Sequence, residues 1–426
     1  MKIKSQTIII LTVLFTVGCF RLIPSTTSTI TEKNIAAIYN PSSTTIHPKF
    51  FVYQQNEENT LLYIYFYTPE LLFLQTGSNK LSSAKVKVYY KIMESIENEE
   101  LIDSATTYIT IPKNSEQTSL VTFLKIKSID LEKYVIQILI KDEYRKKSNI
   151  AFIEIDKTDK FGEQNFLVSY EDDLKPTFNN YFYSDQKYII EYNSSISKLF
   201  VSYYKLDETL PLPPFSTKFE KFEYPTPDSI WTIDYKSNAL FSQTKPGIYF
   251  IQTDTSQNSG KTLINLGDEF PILEKPSTLL EPLEYLTSTY EFENLKNIGS
   301  NKIAVDYFWL NTDENASQAK ELIRIYYNRV MFANIYFTSY KEGWKTDRGM
   351  VYIIFGPPKI VNSKDGYEKW IYSDSRSVKT VEFEFYKREN KFTDKDYILQ
   401  RNVSLKNFWT SAVETWLEGK IFTMDN

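Results

Sequence analysis

Three neighbouring side chains are the strongest candidates for chemistry in this chain. Thr346 would be a nucleophile, Asp347 an acid or base, and Arg348 or the nearby Lys345 an electrostatic partner. Adjacent residues rarely converge on one substrate, and an activated threonine needs a positioned base such as an N-terminal amine. The chain has one histidine, His47, and one cysteine, Cys19. Those counts exclude disulfides, thiol redox pairs, zinc sites built on Cys and His, and most Ser-His or Cys-His hydrolase arrangements. His47 reads as exposed and idle. Glycoside hydrolysis needs only two carboxylates, yet among 54 acidic residues no pair has a privileged spacing. Asp394 with Asp396, and Asp254 with Asn258, offer oxygen donors to calcium, but neither follows an EF-hand loop and both read as solvated turns. A formal charge of −5 gives nucleic-acid binding no global support. With no multi-residue catalytic motif in view, the expectation is a protein that is not an enzyme, with no metal and no small-molecule cofactor.

The elements that must position Thr346 and Asp347 are legible on both sides. Upstream, apolar residues recur at Ala316, Ala319, Ile323, Tyr326, Val330, Ala333 and Phe337, which predicts a long amphipathic helix over 316–340 capped by Asp313 or Asn315. Four of the 12 glycines then fall between Gly343 and Gly366. Gly343 suits the left-handed position that ends the helix. Thr346-Asp347-Arg348-Gly349 has the make-up of a type I turn, in which Asp347 bonds nearby backbone N–H groups or pairs with Arg348 or Lys345. The apolar run 350–355 reads as a strand buried on both faces, stopped by Gly356-Pro357-Pro358. Further strands are expected at 368–372 and 379–386, with a last helix over 404–417. Trp344 would pack between helix and strand.

At these residues the chain resembles the GWxTD-domain family, a set of Gram-negative envelope proteins. The motif is Gly343, Trp344, Thr346 and Asp347. Its companions are Tyr327-Asn328-Arg329-Val330 with Ala333-Asn334, then Phe355-Gly356-Pro357-Pro358, then Glu368-Lys369-Trp370-Ile371-Tyr372. The resemblance covers about 279–416 and implies kinship and an envelope setting without carrying an activity. A fainter one, to the small lipoprotein of the outer-membrane β-barrel assembly machine, rests on a valine strand ending in Gly-Pro and a later Trp-x-Tyr: Val351, Gly356, Pro357, Trp370 and Tyr372.

The first residues read as an address. Met1-Lys2-Ile3-Lys4 is a short basic start, and the apolar stretch 7–17 is too short to span a bilayer but fits an export signal. It ends in Thr16-Val17-Gly18-Cys19, which resembles the lipobox of bacterial lipoproteins, with Thr16 where leucine is usual. That resemblance implies a signal peptide over 1–18, acyl chains on Cys19, and a Ser/Thr-rich tether over 19–45. Phe20, Arg21 and Leu22 follow Cys19 with no acidic cluster of the kind that exports some lipoproteins to the cell surface, so the expected location is the periplasmic face of an outer membrane.

Between address and motif lie two strand-rich blocks. In 46–160 a period of two marks strands at 50–54, 60–68, 84–94, 104–111, 118–127, 133–144 and 149–157. In 161–272 strands read at 188–192, 198–205 and 247–252, around a proline-rich stretch near 211–227 that belongs in an edge or a long loop. Helical spacing returns at 278–290 and 303–310, and five of the six tryptophans follow residue 300. The fold expected is mainly β: two immunoglobulin-like β-sandwich domains followed by a C-terminal α+β domain over 273–426. The 32 tyrosines and 29 phenylalanines suit such strands. The function expected is a lipid-anchored, non-enzymatic scaffold for other envelope proteins. The alternatives are a carboxylate-dependent hydrolase using Asp347 and an accessory lipoprotein in outer-membrane protein assembly.

Overall fold

A computed structural model describes residues 33–424 apart from 44, 76–81, 97, 99, 115, 117, 128, 130, 219–220, 313–315, 365 and 374–379. The signal segment, Cys19, the tether up to residue 32, and the caps Asp313 and Asn315 lie outside the described residues. The chain is mostly β, built of antiparallel sheets with helices gathered toward the C-terminus.

Alternating side chains build the first block. Lys49–Asn56, Asn59–Tyr67 and Ser119–Lys127 form one sheet, and Leu74–Gln75, Ser82–Met93, Leu101–Pro112, Lys133–Asp142 and Lys147–Asp156 form the other. Strand Ser82–Met93 buries Ala84, Val86, Val88 and Ile92, and these meet Leu62, Ile64, Ile136, Ile138 and Ile140 in one core. All seven strands expected here are present, within three residues at each end.

The second block pairs Phe166–Tyr170, Tyr188–Tyr192 and Ala239–Phe241 in one sheet and Ser229–Asp234, Lys198–Tyr204, Gly247–Gln252 and Lys261–Asn265 in the other. Ile190, Leu199, Val201, Phe241 and Ile251 fill the space between. Residues 205–218 and 221–228 leave this block as a long excursion with no strand among the described residues, and Leu210 and Phe215 pack on the C-terminal core.

Among the described residues that core lies between a five-stranded sheet and six helices. The sheet order is Lys33–Asn34, Ile360–Lys364, Tyr367–Ser373, Thr380–Lys387 and Tyr397–Leu399. The helices are α1 (Pro276–Leu280), α2 (Thr289–Lys296), α3 (Asn301–Thr312), α4 (Ala316–Phe337), α5 (Asp347–Phe355) and α6 (Lys406–Leu417). Among the described residues no helix is long and apolar enough to cross a membrane.

Two expectations are overturned. The run 349–355 is helical, not a strand: α5 spans Asp347–Phe355 and is buried at every residue. A helix surrounded by protein needs no polar face, so its apolar run loses the 3.6-residue period that would identify it. With a helix there, the likeness built on Val351, Gly356, Pro357, Trp370 and Tyr372 has no valine strand to rest on. The second is the tether expected over 19–45, whose last part is not a tether: Lys33–Asn34 pairs with strand Ile360–Lys364, and Ala36 and Tyr39 are buried in the C-terminal core.

Candidate functional site

The Gly-Trp-Lys-Thr-Asp stretch joins the end of α4 to the start of α5 through a single 3-10 turn, Gly343–Lys345. Gly343 does not adopt the left-handed conformation expected of it. It is glycine because the turn lies flush on α4, where a Cβ would stand 2.0 Å from the Ala333 carbonyl oxygen. Gly349 repeats the device one level up, since a Cβ there would stand 1.9 Å from the Gly343 carbonyl oxygen. The two glycines let three backbone segments close on one another.

Asn334 of α4 holds this contact. Its Oδ1 accepts from the Trp344 backbone N–H at 3.1 Å, and its Nδ2 donates to the Pro271 carbonyl at 3.0 Å. The Trp344 ring is buried edge-on to Tyr285, whose hydroxyl donates to the Trp344 carbonyl at 2.9 Å, and the indole N–H donates to Glu342. Trp344 thus packs between α4 and the turn Glu281–Leu286, not against a strand.

Thr346 caps α5. Its Oγ1 accepts from the Gly349 N–H at 3.1 Å and donates to the Gly343 carbonyl at 2.7 Å, so the hydroxyl is committed at both ends. The expected type I turn is therefore the first turn of a helix. Asp347 pairs with neither Arg348 nor Lys345. Its Oδ1 takes Arg401 Nη2 at 2.6 Å, and its Oδ2 takes the Leu399 backbone N–H at 2.9 Å and Arg401 Nη1 at 3.3 Å. Burial pushes the Asp347 carboxyl above the usual aspartate value, and Arg401 with the Leu399 N–H only partly offsets that. Arg401 Nη2 also donates to the Leu212 carbonyl at 3.0 Å, so the pair reaches the excursion from the second block.

Lys345 lies under the same excursion. Its ammonium meets Glu208 and, at 3.0 Å, Glu342. Burial pulls its pKa down, and Glu342 and Glu208 outweigh that and raise it. Arg348 turns the other way, into a buried group: Nη1 pairs with Glu368 Oε1 at 3.2 Å and Nη2 donates to the Lys395 carbonyl at 2.9 Å. Glu368 Oε2 accepts the indole N–H of Trp370 at 2.9 Å. The far end of α5 is closed by Arg329, which donates to the carbonyls of Ile353 and Ile354 at 3.1 and 3.0 Å. Among the described residues no carboxylate faces it, and burial brings its pKa down to about 10. The negative end of the helix is its counter-charge. Gly356 ends α5 with φ +81, against the Arg329 guanidinium, and Pro357 and Pro358 follow.

Of the expected site residues, Gly343, Trp344, Asp347, Gly349, Gly356, Pro358 and Trp370 are buried, Thr346 is half-buried and Pro357 is exposed. Arg401, Tyr39, Asp207 and Glu208 were missed, because each comes from an element remote in sequence and no local period marks it. Of the calcium candidates, Asp396 is buried, not in a solvated turn, and accepts from Arg388 and Asn390; Asp254 accepts from Ser256; Asp394 and Asn258 are exposed. No group of three or more candidate metal ligands occurs among the described residues. His47 is not idle, since its Nδ1 stands 2.9 Å from Glu70 Oε1. An apolar groove of about 720 Å³ runs along α2 and α3, lined by Leu295, Ile298, Ile303, Tyr307 and Leu417 among others.

Comparison with known proteins matches residues 247–418 to the GWxTD domain. No curated protein matches the chain. Among solved structures, the crystal structure of red sea bream transglutaminase is 8% identical over 52% of this chain, with a TM-score of 0.18. The match spans only 31% of that enzyme.

Proposed function

Because residues 247–418 form a GWxTD domain, we propose that the protein is a non-enzymatic scaffold, anchored in the cell envelope through acylated Cys19, and that this domain is its contact module for other envelope proteins. The observation that carries the reading is the fate of the motif's reactive groups. The hydroxyl of Thr346 and both oxygens of Asp347 are spent on α5, strand Tyr397–Leu399 and Arg401. A hydrolase built on Asp347 would need a carboxylate oxygen facing substrate. The binding half of the reading draws on α3, whose Ile303, Tyr307 and Leu310 form an exposed stripe beside the apolar groove.

The test is crosslinking and affinity capture of the protein from solubilised envelopes, comparing wild type with Asp347→Asn and Trp344→Ala. Partners lost in both variants, in step with loss of folded protein, support the scaffold. A folded Asp347→Asn variant that keeps its partners and loses function supports catalysis. Mass spectrometry of Cys19 tests the anchor separately, and an unacylated residue there removes that half of the proposal.

A further inference from the structure

Residues 33–39 run along the C-terminal domain before the chain enters the first sandwich at Ile46, a residue of that sandwich's core. Lys33 and Asn34 lie opposite Ser363 and Asn362 as an added antiparallel strand. Ile35 N–H donates to the Val361 carbonyl at 2.9 Å, and Asn34 Oδ1 accepts the Val361 N–H at 3.1 Å. Main-chain pairing of this kind supplies affinity without much selectivity.

Selectivity comes from one side chain. Tyr39 is buried among Tyr336, Phe337 and Trp370, with ring centroids 5.9, 5.1 and 5.4 Å away. Its hydroxyl donates to Glu368 Oε1 at 2.7 Å, and its carbonyl accepts from the Tyr352 hydroxyl at 3.0 Å. The phenol is thus the third member of the Arg348–Glu368 group. Removing it leaves a ring-sized void and takes a donor from a buried carboxylate.

We propose that the GWxTD domain carries a peptide slot for a short extended strand followed by a buried tyrosine, filled in this chain by its own residues 33–39. The slot binds the C-terminal domain directly to the N-terminal anchor, independently of the first sandwich; only that clause rests on the anchored reading above.

The test severs the first sandwich from the anchor. A site-specific protease sequence is inserted after Ser43, and the full chain is coupled through Cys19, its one thiol, to a maleimide phospholipid in phosphatidylcholine vesicles. Chemical coupling makes the result independent of cellular acylation. After complete cleavage, the body of the protein is expected to float with the vesicles and to be released by excess synthetic peptide of residues 31–43. Tyr39→Ala is expected to release it at once. Tyr39→Phe, which keeps the ring, is expected to release it roughly tenfold faster than wild type, as loss of a hydrogen bond to a charged group requires. Release of the cleaved wild-type chain as fast as Tyr39→Ala would overturn the slot. Equal rates for wild type and Tyr39→Phe would overturn the part given to the phenol.

Discussion

Asp347 is the residue whose type most invites a chemical reading, and its surroundings explain it without one. Each of its oxygens takes a guanidinium N–H of Arg401, and Oδ2 also takes the Leu399 backbone N–H. Replacing one member of a buried, hydrogen-bonded ion pair leaves the other charge unpaired and costs about 3–5 kcal/mol. Asp347→Asn is therefore expected to lower unfolding free energy by about 3 kcal/mol, read from the denaturant midpoint. Asp347→Asn combined with Arg401→Met is expected to recover part of the loss, because no lone charge remains. A second prediction uses the lone histidine. The hydrogen bond to Glu70 raises the His47 pKa above its ordinary value of about 6.5 even though burial opposes it. The folded value exceeds the unfolded one, so the pair's stabilisation is present below about pH 6.5 and is lost as pH rises through the folded pKa. A single-histidine NMR titration is expected to show this upward displacement, and Glu70→Gln to abolish it.

At the scale of elements, α5 decides whether the motif can form. Its first turn is capped by Thr346, its last carbonyls by Arg329, and its flank lies on Gly343 through Gly349. Gly349→Ala forces a methyl into a backbone oxygen and is expected to cost about 3 kcal/mol or more, since overpacking costs about 1–3 kcal/mol even where neighbours can move. Thermal unfolding followed by tryptophan fluorescence reads it. Arg329→Lys keeps the charge but loses the planar fork that reaches two carbonyls, and is expected to destabilise nearly as much as Arg329→Met. The same element shows where sequence reading stops. Strands of the first block such as Ser82–Met93 and Lys133–Asp142 were legible because one face is buried and the other more exposed, so apolar and polar residues alternate. α4 was legible by the same logic at helical spacing. α5, buried all round, shows no face at all, and the eye reads Met350-Val351-Tyr352-Ile353-Ile354-Phe355 as a strand. The GWxTD motif itself could be read as a signature, yet the partners of its polar groups could not. Arg401 lies 54 residues after Asp347, and Tyr39 lies 309 before Arg348; contacts between elements so remote leave no periodic trace.

Over the whole molecule, two passages of chain close on the motif from outside the C-terminal block. Residues 33–39 complete its sheet. The excursion 205–228 crosses it through Asp207 to Lys341, Glu208 to Lys345, and the Leu212 carbonyl to Arg401. The motif is therefore a junction, where residues 33–39, the second block and the helices are tied together. Freeing the excursion by Arg401→Met is expected to raise amide exchange across strand Tyr397–Leu399 and proteolysis within 205–228, with strand Ser82–Met93 of the first block unchanged. The measurement that bears most directly on the structural role of the motif is equilibrium unfolding of wild type and Asp347→Asn, followed by tryptophan fluorescence, to which the C-terminal block contributes five of six indoles. The account predicts a C-terminal transition moved to clearly lower denaturant. An unmoved transition, in a variant that nevertheless fails in the cell, would contradict it.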